Sequence, residues 1–225
     1  MPSESPSPGM ASSGALEAVL FDMDGTLVDT EGLWWQATTA VARTLGVALG
    51  PADTPQVLGR TAEDVAAHLL TAATSRPGPP ELTATTPPPG APEIARRLTD
   101  AFATRVGGGV TVIPGALALL AELHAEAIPT ALVSASPRSI VDLVLPRLDH
   151  PFDLVMAVED TPRGKPHPDP YLEATRRLGV EPRRCVAIED SPPGIAAATA
   201  AGCRVITVDS RRGLPDLHAL CDFQL

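Results

Sequence analysis

Residues 19–27 have the sequence Val-Leu-Phe-Asp-Met-Asp-Gly-Thr-Leu, in which an apolar run that begins at Ala18 stops at two aspartates and a glycine. A short apolar run bounded by turn residues predicts a buried strand. Alternate residues of a strand point to the same side, so Asp22 and Asp24 are expected to face one crevice. In open α/β sheets, the crevice at the carboxyl ends of the strands is where ligands bind.

Paired carboxylates in such a crevice need either positive charge or a proton. Two carboxylates about 4 Å apart repel each other by roughly 4 kcal/mol at an effective dielectric constant of 20. The stretch therefore predicts either a metal site or a proton-transfer pair, and taken alone it leaves both interpretations open.

Short apolar runs alternate with helix-forming segments along the rest of the chain. We predict strands at 17–21, 130–133, 154–158, 185–188 and 204–208, and helices at 31–46, 61–71, 93–105, 114–127, 138–147, 169–178 and 194–201. This alternation is typical of βαβ units, which form a parallel sheet with right-handed crossovers. The predicted fold class is therefore α/β, a Rossmann-like parallel sheet accompanied by a helical cap domain.

The pattern divides the chain into three predicted parts. Residues 1–14 are rich in Pro, Ser and Gly, which predicts a disordered tail. Residues 15–30 and 111–225 supply the strands of the core domain. Residues 31–110 predict a helical unit inserted after the first strand, interrupted by a loop at 76–92 rich in Pro, Gly and Thr.

Composition and charge restrict the partners. The net charge of -10 argues against a nucleic-acid polymer or an anionic membrane surface, because both bind basic faces. No run of 18 apolar residues predicts a transmembrane helix. The three cysteines have no metal-ligand spacing, which indicates reduced thiols and a cytoplasmic location. We expect a monomer, and a small phosphorylated metabolite remains compatible as partner because a bound cation can offset local charge.

Polar side chains follow several predicted strands at the same edge of the sheet. Asp22 and Asp24 follow the first strand, Ser134 follows the second, and Glu189 and Asp190 follow the fourth. The carboxyl ends of parallel strands meet at one edge, so all of these side chains are expected to face one crevice.

Together these motifs resemble the four motifs of the haloacid dehalogenase (HAD) superfamily. Residues 22–26, Asp-Met-Asp-Gly-Thr, are similar to the first motif, and Ser134 is similar to the second. Lys165, within Gly-Lys-Pro-His-Pro-Asp-Pro at 164–170, is similar to the third, and Glu-Asp-Ser at 189–191 to the fourth. The resemblance extends from about residue 17 to 215, and the helical insert resembles the cap of the β-phosphoglucomutase and small-molecule phosphatase branch.

The resemblance implies a role for each motif. Asp22 would be a nucleophile that forms an aspartyl-phosphate, and Asp24 would act as acid and then as base. Mg²⁺ would be the cofactor, and its implied ligands are Asp22, the backbone carbonyl of Asp24, Asp190 and, directly or through water, Glu189. The phosphoryl oxygens would be bound by Ser134, Ala135 and Lys165.

Lys165 also stands out by composition, because it is the only lysine among 17 Lys and Arg residues. A compact ammonium cannot be replaced by the larger, fork-shaped guanidinium in a tight site. In the insert, Trp34, Arg60 and His68 are candidate substrate contacts. Trp34 and Trp35 are adjacent on a predicted helix, and packing is the simpler interpretation for at least one of them.

Three reactions and one non-catalytic role are consistent with this resemblance. Haloacid dehalogenation is disfavoured, since relatives with that activity lack the second acidic residue, here Asp24. β-Phosphoglucomutases carry a cap segment similar to Gly-Val-Ser-Arg-Glu, whose Arg holds a second phosphate, and Ala62 occupies that position here. We therefore predict Mg²⁺-dependent hydrolysis of a sugar, nucleoside or C-glycosyl 5-phosphate. A mutase is the alternative, and a non-catalytic binding protein of the same fold is the distant one.

Overall fold

The computed structural model describes residues 16–75 and 89–222. The predicted disordered tail at 1–14 lies outside the described residues, as does most of the predicted loop at 76–92. None of the helices within the described ranges has the length and apolarity that a bilayer crossing needs.

Strands and helices alternate after an insert that is mainly helical. The strands are β1 (Ala18–Phe21), β2 (Val28–Asp29), β3 (Thr111–Val112), β4 (Thr130–Val133), β5 (Leu154–Met156), β6 (Cys185–Glu189) and β7 (Arg204–Thr207). The helices are α1 (Glu31–Thr44), α2 (Thr54–Val57), α3 (Ala62–Thr74), α4 (Ala91–Gly107), α5 (Ala116–Ala125), α6 (Arg138–Leu148), α7 (Asp169–Leu178), α8 (Pro192–Ala201) and α9 (Leu217–Asp222). Short 3-10 turns occupy Pro51–Asp53, Val158–Asp160 and Pro182–Arg184.

The main sheet is parallel and has the strand order β5-β4-β1-β6-β7. Strand β1 is central and pairs with β4 on one side and β6 on the other. All four of its residues are fully buried, which explains why its sequence is continuously apolar. The Rossmann-like α/β class predicted from the alternating pattern is confirmed. The end of β1 lies where the strand order reverses, with β4 and β5 on one side and β6 and β7 on the other, and such a point is where ligands bind in open α/β sheets.

The insert has a hydrophobic cluster of its own. Helices α1, α3 and α4 enclose Val41, Leu69, Ile94 and Leu98, all buried. The carboxyl half of α4 instead contributes to the larger cluster beneath the sheet through Phe102 and Val106. At the entry and exit of the insert, β2 and β3 form a two-stranded antiparallel pair. The predicted boundaries at 30/31 and 110/111 fall beside this pair, and the division into separate domains stays a prediction.

Several element boundaries differ from the sequence prediction. The strand predicted over 154–158 ends at Met156, because the carboxylate of Asp160 accepts a hydrogen bond from the Ala157 N–H at 2.7 Å and turns the chain. The helix predicted from 114 begins at Ala116, after Gly115 adopts a left-handed conformation with φ of 84°. The pairing of β2 with β3 was not predicted, since each strand has two residues and its partner is about 80 residues away.

Candidate active site

Asp22 is the first residue after the central strand and is almost completely buried. Its backbone N–H donates to the carbonyl of Ile188 on β6 at 3.0 Å, which continues the sheet one residue past β1. Oδ1 of its carboxylate lies 2.6 Å from the Nζ of Lys165. Burial raises the pKa of Asp22 well above its usual range, and the carboxylates of Glu189 and Asp190 raise it further against the opposing charge of Lys165.

Lys165 is enclosed between two carboxylates. Its Nζ contacts Oδ1 of Asp22 and Oε1 of Glu189, each at 2.6 Å, and its side chain is 4% exposed. The ammonium also lies 5.2 Å from the ring centroid of Tyr171. Burial lowers the pKa of Lys165, but the charges of Asp22 and Glu189 outweigh burial and raise it, so this residue supplies a permanent positive charge.

Glu189, the last residue of β6, is fully buried, and both of its carboxylate oxygens accept hydrogen bonds. Oε1 accepts from Lys165 and from the hydroxyl of Tyr171, both at 2.6 Å. Oε2 accepts from the hydroxyl of Ser191 at 3.2 Å. A Cβ atom at position 194 would overlap this carboxylate, so Gly194 on α8 leaves the space in which Glu189 lies.

Asp22, Glu189 and Asp190 form a carboxylate cluster suited to a hard cation. Among the described residues, they each offer a ligand oxygen, and these oxygens lie within 4.8 Å of one another. Burial, together with the charges of Glu189 and Glu31, raises the pKa of Asp190 to about 7. Burial and mutual repulsion both disfavour the charged carboxylates, and a bound cation would offset both effects. Since an all-oxygen donor set is the kind that Mg²⁺ prefers, the residues fit a magnesium ion.

Asp24 lies beside this cluster and is held by two hydroxyl groups. Its Oδ1 accepts from Thr30 and its Oδ2 accepts from Ser136, both at 2.7 Å. Burial raises the pKa of Asp24, while the bonds from Ser136 and Thr30 oppose the rise. A carboxyl group with a raised pKa is poised to hold and release a proton, which is what acid and base catalysis requires.

The loop after β4 brings Ser134 and Ala135 to the same edge of the sheet. Ser134 is buried, its N–H donates to the carbonyl of Met156, and its hydroxyl accepts from the N–H of Ser136 at 2.9 Å. Ala135 is exposed at the edge of the sheet. The turn after Asp24 is equally tight, because Gly25 has a φ of 87° and a Cβ there would overlap the carboxylate of Asp190.

The three candidate substrate contacts of the insert have protein partners. Trp34 packs edge-on against Phe102, and its Nε1 donates to the carbonyl of Val57 at 2.8 Å. Arg60 is exposed, with its Nε 3.2 Å from the carbonyl of Pro55. His68 lies 3.1 Å from the carboxylate of Asp53 within the insert. Packing on Phe102 accounts for the position of Trp34, and the contact with Asp53 accounts for that of His68. The substrate-contact role of all three residues stays a prediction.

Sequence reasoning missed four residues that contact the predicted site. Thr30 and Ser136 bond to Asp24, and Tyr171 and Gly194 surround Glu189. Ser136 lies two residues beyond a predicted motif residue, a spacing that could have identified it. The sequence gives no such signal for Tyr171, because a tyrosine on the apolar face of a helix is explained by core packing as well as by a role at the site.

Comparison with known proteins gives the family directly. Residues 16–202 match the family of haloacid dehalogenase-like hydrolases. The chain belongs to this family. The match confirms the resemblance carried by the four motifs, and it makes the chain a hydrolase of the HAD superfamily.

Relatives of this HAD hydrolase include named phosphatases. Hexitol phosphatase B of Escherichia coli (strain K12) is 34% identical over 202 residues, which cover 88% of this chain and 86% of that protein. Phosphoglycolate phosphatase of the same organism is 31% identical over 84% of this chain and 79% of its own length. The crystal structure of CbbY from Rhodobacter sphaeroides in complex with phosphate has a TM-score of 0.73 at 31% identity, covering 90% and 89% of the two chains. The chain is thus a HAD hydrolase whose named relatives include phosphatases of small phosphorylated metabolites.

Proposed function

We propose that this HAD hydrolase is a Mg²⁺-dependent phosphatase that hydrolyses a small-molecule phosphate monoester through an aspartyl-phosphate on Asp22. The observation that carries the proposal is the position of Asp22. Its carboxylate lies at the carboxyl end of the central strand, 2.6 Å from the only lysine and within the carboxylate cluster of Glu189 and Asp190.

In the first step, a carboxylate oxygen of Asp22 attacks the phosphorus, and the bond from phosphorus to the alcohol oxygen breaks. Asp24 donates its proton to that leaving oxygen. The raised pKa of Asp24 supports this role, because the group keeps a proton to a higher pH than an exposed aspartate does. Lys165 lies against the attacking carboxylate and places positive charge where phosphoryl charge develops.

In the second step, water replaces Asp22 on the phosphorus. Asp24, now ionised, takes a proton from the water, the bond from phosphorus to the Asp22 oxygen breaks, and inorganic phosphate leaves. The residues that would hold Mg²⁺ are Asp22, Glu189 and Asp190 with the backbone carbonyl of Asp24. When bound, the cation supplies charge neutralisation for the phosphoryl oxygens and for this cluster.

For the substrate, we propose a sugar, nucleoside or C-glycosyl 5-phosphate. One relative is named a hexitol phosphatase, and CbbY of Rhodobacter sphaeroides has been crystallised with xylulose-(1,5)bisphosphate. Both names describe phosphorylated polyols or sugars. The negatively charged chain is compatible with such a ligand, since Lys165 and the bound cation supply local positive charge.

The structure around Ala62 favours hydrolysis over the mutase alternative. Ala62 begins α3, and its methyl group occupies the position where the resemblance places a phosphate-holding arginine in mutases. The neighbouring Arg60 bonds to the backbone of Pro55. A mutase must retain a second phosphate, and the alanine at position 62 offers no cationic side chain to hold it.

Phosphate release from a panel of phosphorylated metabolites tests the proposal. The panel contains a hexitol phosphate, a pentose 5-phosphate, a nucleoside 5'-phosphate and β-glucose 1-phosphate, each with and without Mg²⁺. We expect free phosphate from at least one of the first three, and none from an Asp22→Asn variant. Isomerised sugar phosphate without phosphate release would favour the mutase. No turnover above that of Asp22→Asn on any substrate would overturn both.

A further inference from the structure

Tyr171 occupies a position beside the carboxylate cluster that its packing alone does not require. It is the only tyrosine of the chain and is fully buried on α7. Its ring packs among small residues such as Ala174 and Ala197, on the face of the sheet opposite to the cluster of Phe102 and Val106. A phenylalanine would fill the same space, so the hydroxyl group needs a separate explanation.

The hydroxyl group donates a 2.6 Å hydrogen bond to Oε1 of Glu189. Phenols have a pKa near 10, so this group is a donor at neutral pH. Oε1 also accepts from Lys165 at 2.6 Å. A carboxylate oxygen has two lone pairs, and these two short bonds therefore occupy both of them.

The other oxygen, Oε2, is bound less tightly. Its contacts with Ser191 are 3.2 Å to the hydroxyl and 3.5 Å to the N–H, both longer than the two bonds to Oε1. Oε2 therefore has the weaker hydrogen bonds and is the oxygen that a cation would draw away at lower cost. The two oxygens of the Glu189 carboxylate thus differ in how tightly they are held.

We propose that Tyr171 is a positioning residue that, together with Lys165, fixes the Glu189 carboxylate so that Oε2 serves the divalent cation. This inference rests on the proposed function, since it assigns an orientation within that cation site. Outer partners of ligating carboxylates fix their orientation, and losing one weakens metal binding by about 10- to 100-fold.

Calorimetric titration of the purified protein with Mg²⁺, without substrate, tests the assignment. Tyr171→Phe keeps the ring and removes only the hydroxyl, and we expect its dissociation constant to rise about 10-fold. Thr175→Val is the matched control, because Thr175 is also buried on α7 but its hydroxyl donates to the backbone carbonyls of Tyr171 and Leu172 and not to a carboxylate of the cluster. We expect Thr175→Val to bind Mg²⁺ as the wild type does.

A second measurement needs no substitution in the sequence. Incorporation of 3-fluorotyrosine gives a single ¹⁹F resonance beside the hydroxyl of Tyr171, since the chain has one tyrosine. We expect Mg²⁺ to shift this resonance with a midpoint that matches the calorimetric dissociation constant.

The outcomes separate the two proposals. If the wild type binds Mg²⁺ and Tyr171→Phe binds it within twofold, the role of Tyr171 is wrong and the phosphatase proposal stands. Equal weakening in Thr175→Val, or a ¹⁹F resonance unmoved by saturating Mg²⁺, likewise contradicts the role of Tyr171. A wild type that binds no Mg²⁺ contradicts the cofactor of the proposed function itself.

Discussion

The Nζ of Lys165 and Oδ1 of Asp22 lie 2.6 Å apart although 143 positions separate them in the chain. Both side chains are almost completely buried. The contact joins the loop before α7 to the end of the central strand. A buried ion pair of this kind costs desolvation free energy, so its position at a predicted nucleophile points to function more than to stability.

Lys165→Arg is expected to lower kcat by about 100-fold or more, although it keeps the positive charge. The pocket is closed by Asp22, Glu189 and the ring of Tyr171, and a longer, planar guanidinium does not fit it. Steady-state kinetics would measure the effect. Arg163→Lys is the control, since Arg163 is exposed two residues away and the change weakens only its surface ion pair with Asp169. A Lys165→Arg enzyme with more than a tenth of the wild-type kcat would refute this prediction.

Ser136→Ala is expected to lower kcat about 10-fold and to leave KM within twofold. The substitution removes one of the two hydroxyl donors that orient the Asp24 carboxylate, and hydrogen bonds to charged groups contribute about 1.5–3 kcal/mol. Ser139→Ala removes an exposed hydroxyl three residues further on, in the first turn of α6, and serves as control. A raised KM with unchanged kcat would show instead that Ser136 contacts the substrate.

Gly25→Ala is expected to abolish both Mg²⁺ binding and turnover. The new Cβ would displace the carboxylate of Asp190 and would also impose a left-handed conformation on alanine, which costs about 1–2 kcal/mol. Gly179→Ala has the same backbone cost at a φ of 72°, but its Cβ meets no atom within 4 Å. We expect Gly179→Ala to lose stability and keep activity. Equal activities in the two variants would contradict the steric argument.

Trp34→Phe is expected to lower the free energy of unfolding by about 1–2 kcal/mol and to leave KM unchanged. Its indole N–H satisfies the carbonyl of Val57, and its ring packs on Phe102. Urea denaturation and steady-state kinetics measure the two quantities. Trp35→Phe tests the neighbouring ring in parallel. If Trp34→Phe raised KM severalfold at unchanged stability, the sequence-based prediction of a substrate contact would be favoured over packing.

Much of the fold follows from local patterns along the chain. Apolar runs in β1, β4 and β6 are buried on both faces of the sheet, so their composition alone distinguishes them from the surface helices. The stop of α7 at Gly179 and the cap of α3 by Thr61 follow from residue chemistry at helix ends. The two-residue strands β2 and β3 carry no such pattern, because their pairing partner lies on the far side of the insert.

Local sequence patterns were enough to predict the α/β class and the order of the four motifs, and they singled out Asp22, Asp24, Lys165 and Asp190. Those signals are local, since strand ends and single residues carry them. Long-range packing brought Ser136 to Asp24 and enclosed Glu189 between Lys165 and Tyr171. These contacts join residues from separate loops and helices. Their geometry depends on how α7 and the loop after β4 pack against the sheet, which no local pattern records.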